Sequence, residues 1–497
     1  VSLDTGVVLM GLGNDPHGIS LVRDTPCGPV EGVLIGGVER FLGIPYAAAP
    51  VGRNRFAVPT LPEPWSETLA AGHYGPTAGQ VPYSGALGTL LPTVVIPGDA
   101  CLNVNVFAPA KRTSGLRPVL LWIHGGSLQH GSNALPGYDG TAFARDAVVF
   151  VAANYRLGAE GFSLLEDAPP NLGLADVIAA LEWTRANIAS FGGDPEQVTL
   201  MGHGAGGTMV AALLAHPRAS TLLARAIIQS APLAALPLSR ARRMTQRIAK
   251  DLGIEATREE FSARTPAELL ASHRRVAADS TPLSGGPAHG LAIEPLLVPR
   301  DPLEAMLAGA GMDTPLLIGT TTQEFRLWLG PTGRGAKVSR VHLAVARRKA
   351  GISKEAQRLY GRNRPGAGPG EILGALATDK VLRVPMYTLA DARRYAEGQT
   401  QVYEFAWHSP VQDLGAAHRM ELPFVFDNLG TQDAAGLVGE EAPQSLATAM
   451  HEAWVCFATL GYAEWPHWDI RRPVKTFNGL GNDVVFSPRD DEAGAIC

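Results

Sequence analysis

The chemistry of this chain centres on the stretch VTLMGHGAGG, residues 198–207. A short apolar run, QVTLMG (197–202), leads into a helical pattern, AGGTMVAALLAHP (205–217), across Gly202-His203-Gly204-Ala205-Gly206. This is the strand-to-helix setting in which a G-x-S-x-G turn lifts a nucleophilic hydroxyl to the carboxyl edge of a sheet. The glycines have a steric reason. A sharp turn brings the residues two before and two after the nucleophile together, so both must be small, and the nucleophile itself is held at positive φ. The middle position here is Gly204. Glycine takes that backbone shape without a Cβ penalty, so the turn is expected to survive. Covalent acyl transfer is not, because there is no hydroxyl to form the acyl-enzyme. Thr208 carries the next hydroxyl, but it should lie a turn into the helix and is a poor substitute.

The elements that would position such a turn follow an α/β rhythm. PVLLWIHGG (118–126) and AVVFVAANYR (147–156) are continuous apolar runs of the kind that buried strands show. Residues 171–189 follow, with Leu174, Ile178, Leu181 and Ile188 on one helical face. After the elbow come ARAIIQSA (224–231), PLLIGTT (315–321) and QVYEFAW (401–407), each read as a strand. Strands separated by helices imply a parallel-rich sheet covered on both faces. TPCGPVEGVLIGGVERFLGIPYA, from Thr25, reads as an antiparallel hairpin region, and residues 57–100 read as long surface loops. Residues 1–24 are expected to be an extension, and 25–497 a single domain with mostly helical cap insertions at about 232–313 and 329–399.

Composition narrows the function classes. The chain has 497 residues, 46% hydrophobic and 18% charged, which is ample for a large core. Its 42 basic and 47 acidic residues give a net charge of −5, with no electrostatic case for nucleic acid or an anionic membrane. The basic run Arg240, Arg242, Arg243 and Arg247 has helical spacing and reads as a solvated face. Cys27, Cys101, Cys456 and Cys497 form no C-x-x-C pair, so neither a zinc site nor a redox motif is indicated. No signal-like segment or membrane-length apolar run stands out, and a cytoplasmic location is the expectation, with secretion after signal removal left open.

The ordered stretches FLGIPYAAAPVGRNRF (41–56), NYRLGAEGF (154–162), NLGLADVIAALEWTRANIASFGGDPEQVTLMG (171–202) and GAAHRMELPFVF (415–426) resemble the signature stretches of the type-B carboxylesterase family. That family includes p-nitrobenzyl esterases and cholinesterases. The resemblance runs from about Thr25 to the last tenth of the chain. It implies an α/β-hydrolase fold and hydrolysis of small-molecule carboxylic esters or related acyl compounds through a serine acyl-enzyme, with no cofactor and no metal. It implies that His418 is the general base and Glu324 the acid that orients it, in the chain order nucleophile, acid, histidine. It also implies that the backbone N–H groups of Gly126, Ser127 and Ala205 form the oxyanion hole, and that His203 and Ser230 are supporting residues, Ser230 near the acid.

Departures from the family pattern are informative. Family members usually read G-E-S-A-G at the elbow, where this chain has His203 and Gly204. The acid motif, usually D-E-G, is Gln323-Glu324-Phe325, and Phe325 is expected to reshape the wall beside the acid. Cys101 matches a family cysteine whose partner region carries Ala78, so that disulfide is expected to be absent. His124 and His130 read as supporting or structural, and Trp328, Phe405 and Trp407 as core or acyl-pocket wall alike. Gly204 leaves three readings open: an inactivated Ser→Gly form of an esterase, a naturally nucleophile-less relative repurposed for ligand binding or a non-covalent acid/base reaction, and a non-catalytic partner-binding protein. The lack of a membrane span and of the disulfide argues against the third.

Overall fold

The computed structural model describes residues 18–111, 114–277 and 289–496. Its frame is a sheet of thirteen strands among the described residues. In chain order these are β1 (Ile19–Thr25), β2 (Gly28–Ile35), β3 (Val38–Pro45), β4 (Leu69–Ala70), β5 (Asn103–Pro109), β6 (Arg117–Ile123), β7 (Val149–Ala153), β8 (Gly193–His203), β9 (Arg225–Gln229), β10 (Leu316–Thr321), β11 (Thr400–Phe405), β12 (Pro473–Phe477) and β13 (Val484–Phe486). Their spatial order is β1-β2-β3-β5-β7-β6-β8-β9-β10-β11-β12-β13, with β4 beside β2. The block from β7 to β12 is parallel, and antiparallel strands flank it on both sides.

The apolar runs form strands because both faces of the sheet are buried. Along β6, Val119, Leu121 and Ile123 enter one core cluster, while Leu120 and Trp122 enter the other. Along β7, Val149, Val151 and Ala153 face one way and Phe150 and Ala152 the other. Successive side chains in a strand point to opposite faces, so a strand between two helical layers needs apolar residues throughout. The helix Leu172–Asn187 lies on one face, with Leu174 and Leu181 in its core, and the helix Gln444–Leu460 covers the other through Met450, Trp454 and Phe457.

Each strand expected from an apolar run is present within a few residues of its expected bounds. The N-terminal boundary is corrected: β1 already pairs with β2 from Ile19, so the ordered domain begins before Thr25, and residues 1–17 lie outside the described residues. β5, β12 and β13 have no counterpart among the strands expected from the sequence, nor does the two-residue β4, which lies within the stretch 57–100 read as loops. Segments 232–313 and 329–399 are mostly helical where described; 278–288 lie outside the described residues. Each segment contributes to an apolar cluster of its own. Met244, Ile248 and Phe261 pack with Phe56 and Leu172, and Leu343, Tyr360 and Leu376 pack with Ile496. Arg240, Arg242, Arg243 and Arg247 are all exposed along the helix Leu238–Leu252, as their spacing indicated. No helix among the described residues is long and apolar enough to cross a membrane.

Candidate active site

β8 ends at His203, and a ten-residue helix, Ala205–Leu214, begins two residues later. Gly204 alone makes the turn, with φ 54° and ψ −120°. The flanking glycines are required by contact. A Cβ on Gly202 would stand 2.5 Å from the carbonyl carbon of Gly206, and one on Gly206 would collide with the carbonyl oxygen of Ile123 on the neighbouring strand. The Gly204 N–H donates to the carbonyl of Gln229 at 2.9 Å, tying the turn to β9. Thr208 is spent elsewhere: its hydroxyl donates to the carbonyl of Pro232 at 2.8 Å. Ala205 opens the helix, where a backbone N–H has no intrahelical acceptor and points out of the N-terminus.

The loop after β6 lies against this turn. Gly125 approaches so closely that a Cβ there would stand 2.7 Å from the carbonyl oxygen of His203. Gly126 (φ 119°), Ser127 (φ 55°) and Leu128 (φ 61°) all take positive φ, a strained run that turns the chain beside the end of β8. Two N–H groups, of Gln129 and His130, close it on the carbonyl of Gly126. Ser127 is exposed at this edge. His124 stacks on Tyr155 and bonds through Nδ1 to the Gly125 carbonyl oxygen at 2.8 Å; burial lowers its pKa to about 4. It is a neutral structural residue, and His130, also lowered to about 4 by burial, stacks on Tyr83 in the same way.

Glu324 and His418 come from distant segments that are laced together. The Gln323 N–H donates to Ala416, the His418 N–H donates to Glu324, and the Ala416 N–H donates to Oε1 of Gln323. The residue that departs from the family's acid motif thus holds the histidine loop. Glu324 is fully buried, accepts the Thr321 N–H at 2.8 Å through Oε1, and presents Oε2 to Nδ1 of His418 at 2.6 Å. The other ring nitrogen of His418, Nε2, lies 3.2 Å from where a Cβ on Gly204 would stand. Phe325 is buried against Trp328, and Trp328 packs on the His418 ring with centroids 5.0 Å apart. Phe405 is core, and Trp407 is half-buried against Phe424.

His203 reaches the same histidine from below the turn, with ring centroids 4.4 Å apart. Its Nε2 lies 3.4 Å from Oε1 of Glu421, a fully buried carboxyl that also accepts a long bond from Gln229. Burial, and then the neighbouring charges of His418 and Arg419, hold the His203 pKa well below the usual range. Burial, and then the charge of Glu324, push Glu421 up to about 8. Both shifts favour the uncharged form of each group, so the two meet as a buried polar contact more than as an ion pair. Ser230 sits at the end of β9, and its N–H donates to Gly319 on β10; its buried hydroxyl makes no bond to Glu324.

The structure therefore gathers Gly204, Ala205, Gly126, Ser127, His203, Glu324 and His418 at the carboxyl edge of the parallel strands. Sequence reasoning missed Glu421, although it lies within the quoted HRMELPF stretch, three residues after His418. It also missed Gln229, which had no local signal.

The architecture is the α/β-hydrolase fold. A Geobacillus stearothermophilus carboxylesterase superposes with a TM-score of 0.86 at 33% identity, covering 96% of this chain and 100% of that one. A structure of PNB esterase superposes with a TM-score of 0.83 at 30% identity, covering 96% and 99%. Among characterised proteins, the para-nitrobenzyl esterase of Bacillus subtilis (strain 168) is 34% identical over 88% of this chain and 89% of its own. The phenmedipham hydrolase of Pseudarthrobacter oxydans is 33% identical over 91% and 93%. The model of the Carboxylesterase family matches residues 20–476, and the chain belongs to that family of ester hydrolases.

Proposed function

We propose that this chain carries the machinery of a serine carboxylesterase with its nucleophile position occupied by Gly204, so that it is an inactivated Ser→Gly form. The observation that carries the reading is the line of groups Glu324, His418 and the empty side-chain position of Gly204, with 2.6 Å from Oε2 to Nδ1 and 3.2 Å from Nε2 to the Cβ site. In the Gly204→Ser form, the hydroxyl attacks the carbonyl carbon of the ester and Nε2 of His418 takes its proton. Glu324 holds the ring in the tautomer that leaves Nε2 free to accept, and it stabilises the imidazolium. The N–H groups of Gly126, Ser127 and Ala205 meet the oxygen as it becomes negative. The imidazolium then protonates the leaving alcohol, and water, deprotonated by the same nitrogen, releases the acid. The helical segments 232–313 and 329–399 are read as caps that govern access to this edge.

In the chain as it stands, water is the nucleophile that remains. Loss of a serine nucleophile in a hydrolase of another fold lowers turnover by about 10⁶, leaving about 10³–10⁴ over water from binding and the oxyanion hole. Hydrolysis of a p-nitrophenyl ester should therefore be barely measurable, and Gly204→Ser should raise it by several orders of magnitude. Equal rates in the two forms overturn the reading. A reaction abolished by His418→Ala yet unimproved by Gly204→Ser would instead mark a non-covalent acid/base enzyme.

A further inference from the structure

The turn that presents Glu324 is gripped by a side chain far outside any motif. Arg383 ends a five-residue π-helical turn, Asp379–Arg383, set between the helices Pro369–Thr378 and Val384–Ala392. Such widened turns are rare and frequently occur at functional sites. The Arg383 side chain is 2% exposed and pairs through Nη1 with Asp379. Its Nη2 lies 3.2 Å from Oε1 of Glu404 and also donates to the carbonyls of Thr321 and Thr322, at 3.4 and 3.3 Å. Thr321 is the residue whose N–H holds Oε1 of Glu324. Arg383 thus holds the two peptides that follow the one whose N–H bonds the carboxylate, and the Thr322 N–H in the first of them donates to the carbonyl of Phe405 at 2.9 Å.

Arg383 is itself braced. Asp379 accepts the Tyr360 hydroxyl at 2.5 Å, and Glu404 also receives Arg489, the residue just before the C-terminal helix Asp490–Ile496. Stability is a weak reason for such a cluster, since well-packed apolar residues commonly do as well as a buried ion network. What the cluster supplies is directional bonding onto one turn.

We propose that Arg383 is a positioning residue for Glu324. It holds the carbonyls of Thr321 and Thr322, and through them the turn between Thr321 and Glu324, so that the carboxylate meets His418 at bonding distance, and it does not touch substrate. This rests on the reading of Glu324 and His418 as acid and base.

The test has two arms. In the chain as it stands, the proton on Nδ1 of His418, bonded to Glu324, is followed by NMR as a low-field resonance. Arg383→Met should move it upfield or broaden it away while circular dichroism stays native. Arg383→Lys, which keeps the charge but loses the planar fork, should fall between. With Gly204→Ser added to each, kcat on a p-nitrophenyl ester should fall about 10- to 100-fold in Arg383→Met, with KM within about twofold. The Nδ1 resonance decides: if it is unchanged in folded Arg383→Met, the proposal is overturned. Should that variant fail to fold, Glu404→Gln, which removes one brace of Arg383, is read by the same resonance, and an unmoved signal there overturns the proposal equally. If Gly204→Ser alone is inactive, the esterase reading fails, while the resonance still judges Arg383.

Discussion

A Cβ on Gly204 would stand 3.2 Å from Nε2 of His418, closer than ordinary van der Waals contact. The imidazole reaches into the space that a side chain at 204 would need. Introducing serine must therefore displace the ring by a few tenths of an ångström and place a non-glycine residue at φ 54°. Glycine relieves that backbone strain, which costs a side-chain-bearing residue roughly 1–2 kcal/mol.

Gly204→Ser should accordingly gain activity and lose stability together. A fall in melting temperature of about 1–4 °C is expected, measured by calorimetry on both forms. An equal or higher melting temperature would show that the turn is not strained.

Within the Gly204→Ser form, Glu324→Gln should keep the fold and lower kcat by about 10⁴, the scale seen when the orienting acid of a triad becomes an amide. The amide can donate to Nδ1 and so traps the wrong tautomer. A loss of less than tenfold would mean that Glu324 does not orient His418.

Glu421 makes stability depend on pH. Its carboxyl is pushed from the ordinary 4.5 up to about 8, so between those values the folded chain keeps a proton that the unfolded chain releases. Its contribution to stability therefore falls as pH rises through that window, by up to about 1.4 kcal/mol per unit, and levels off above about 8. His203 acts in the opposite sense. Its lowered pKa favours the fold above the ordinary 6.5 and loses that advantage as pH falls below it. The interval from 6.5 to 8 isolates the carboxyl. The unfolding free energy of Glu421→Gln relative to the parent should rise with pH there; a flat difference in urea titrations would remove the assignment.

Gly206→Ala should prevent folding or cost more than about 3 kcal/mol, because the added methyl collides with the Ile123 carbonyl and strand and helix cannot separate without breaking the sheet. Gly361→Ala, where nothing stands within 4 Å of the new Cβ, is the control and should be neutral or slightly stabilising. Comparable losses in both would show that the elbow is not a close approach.

What the sequence determined by itself was whatever depends on near neighbours along the chain. The parallel strands were legible because each is buried on both faces and so reads as an unbroken apolar run, as Val119–Ile123 does. The elbow was legible because its steric demands fall on residues two apart. The edge strand β1 was not: its residues are mostly exposed, with no apolar run to mark them, and its pairing with β2 decides its structure. Glu324 and His418 could be assigned only through family resemblance, since nothing local to either foretells a bond between residues 94 apart. The contact of His203 with Glu421, the bracing of the acid turn by Arg383 and the absence of a bond from Ser230 to Glu324 were decided by tertiary structure alone. Such contacts are set by how the sheet edge brings separate loops together, and burial there shifts the proton affinities that determine which groups are charged.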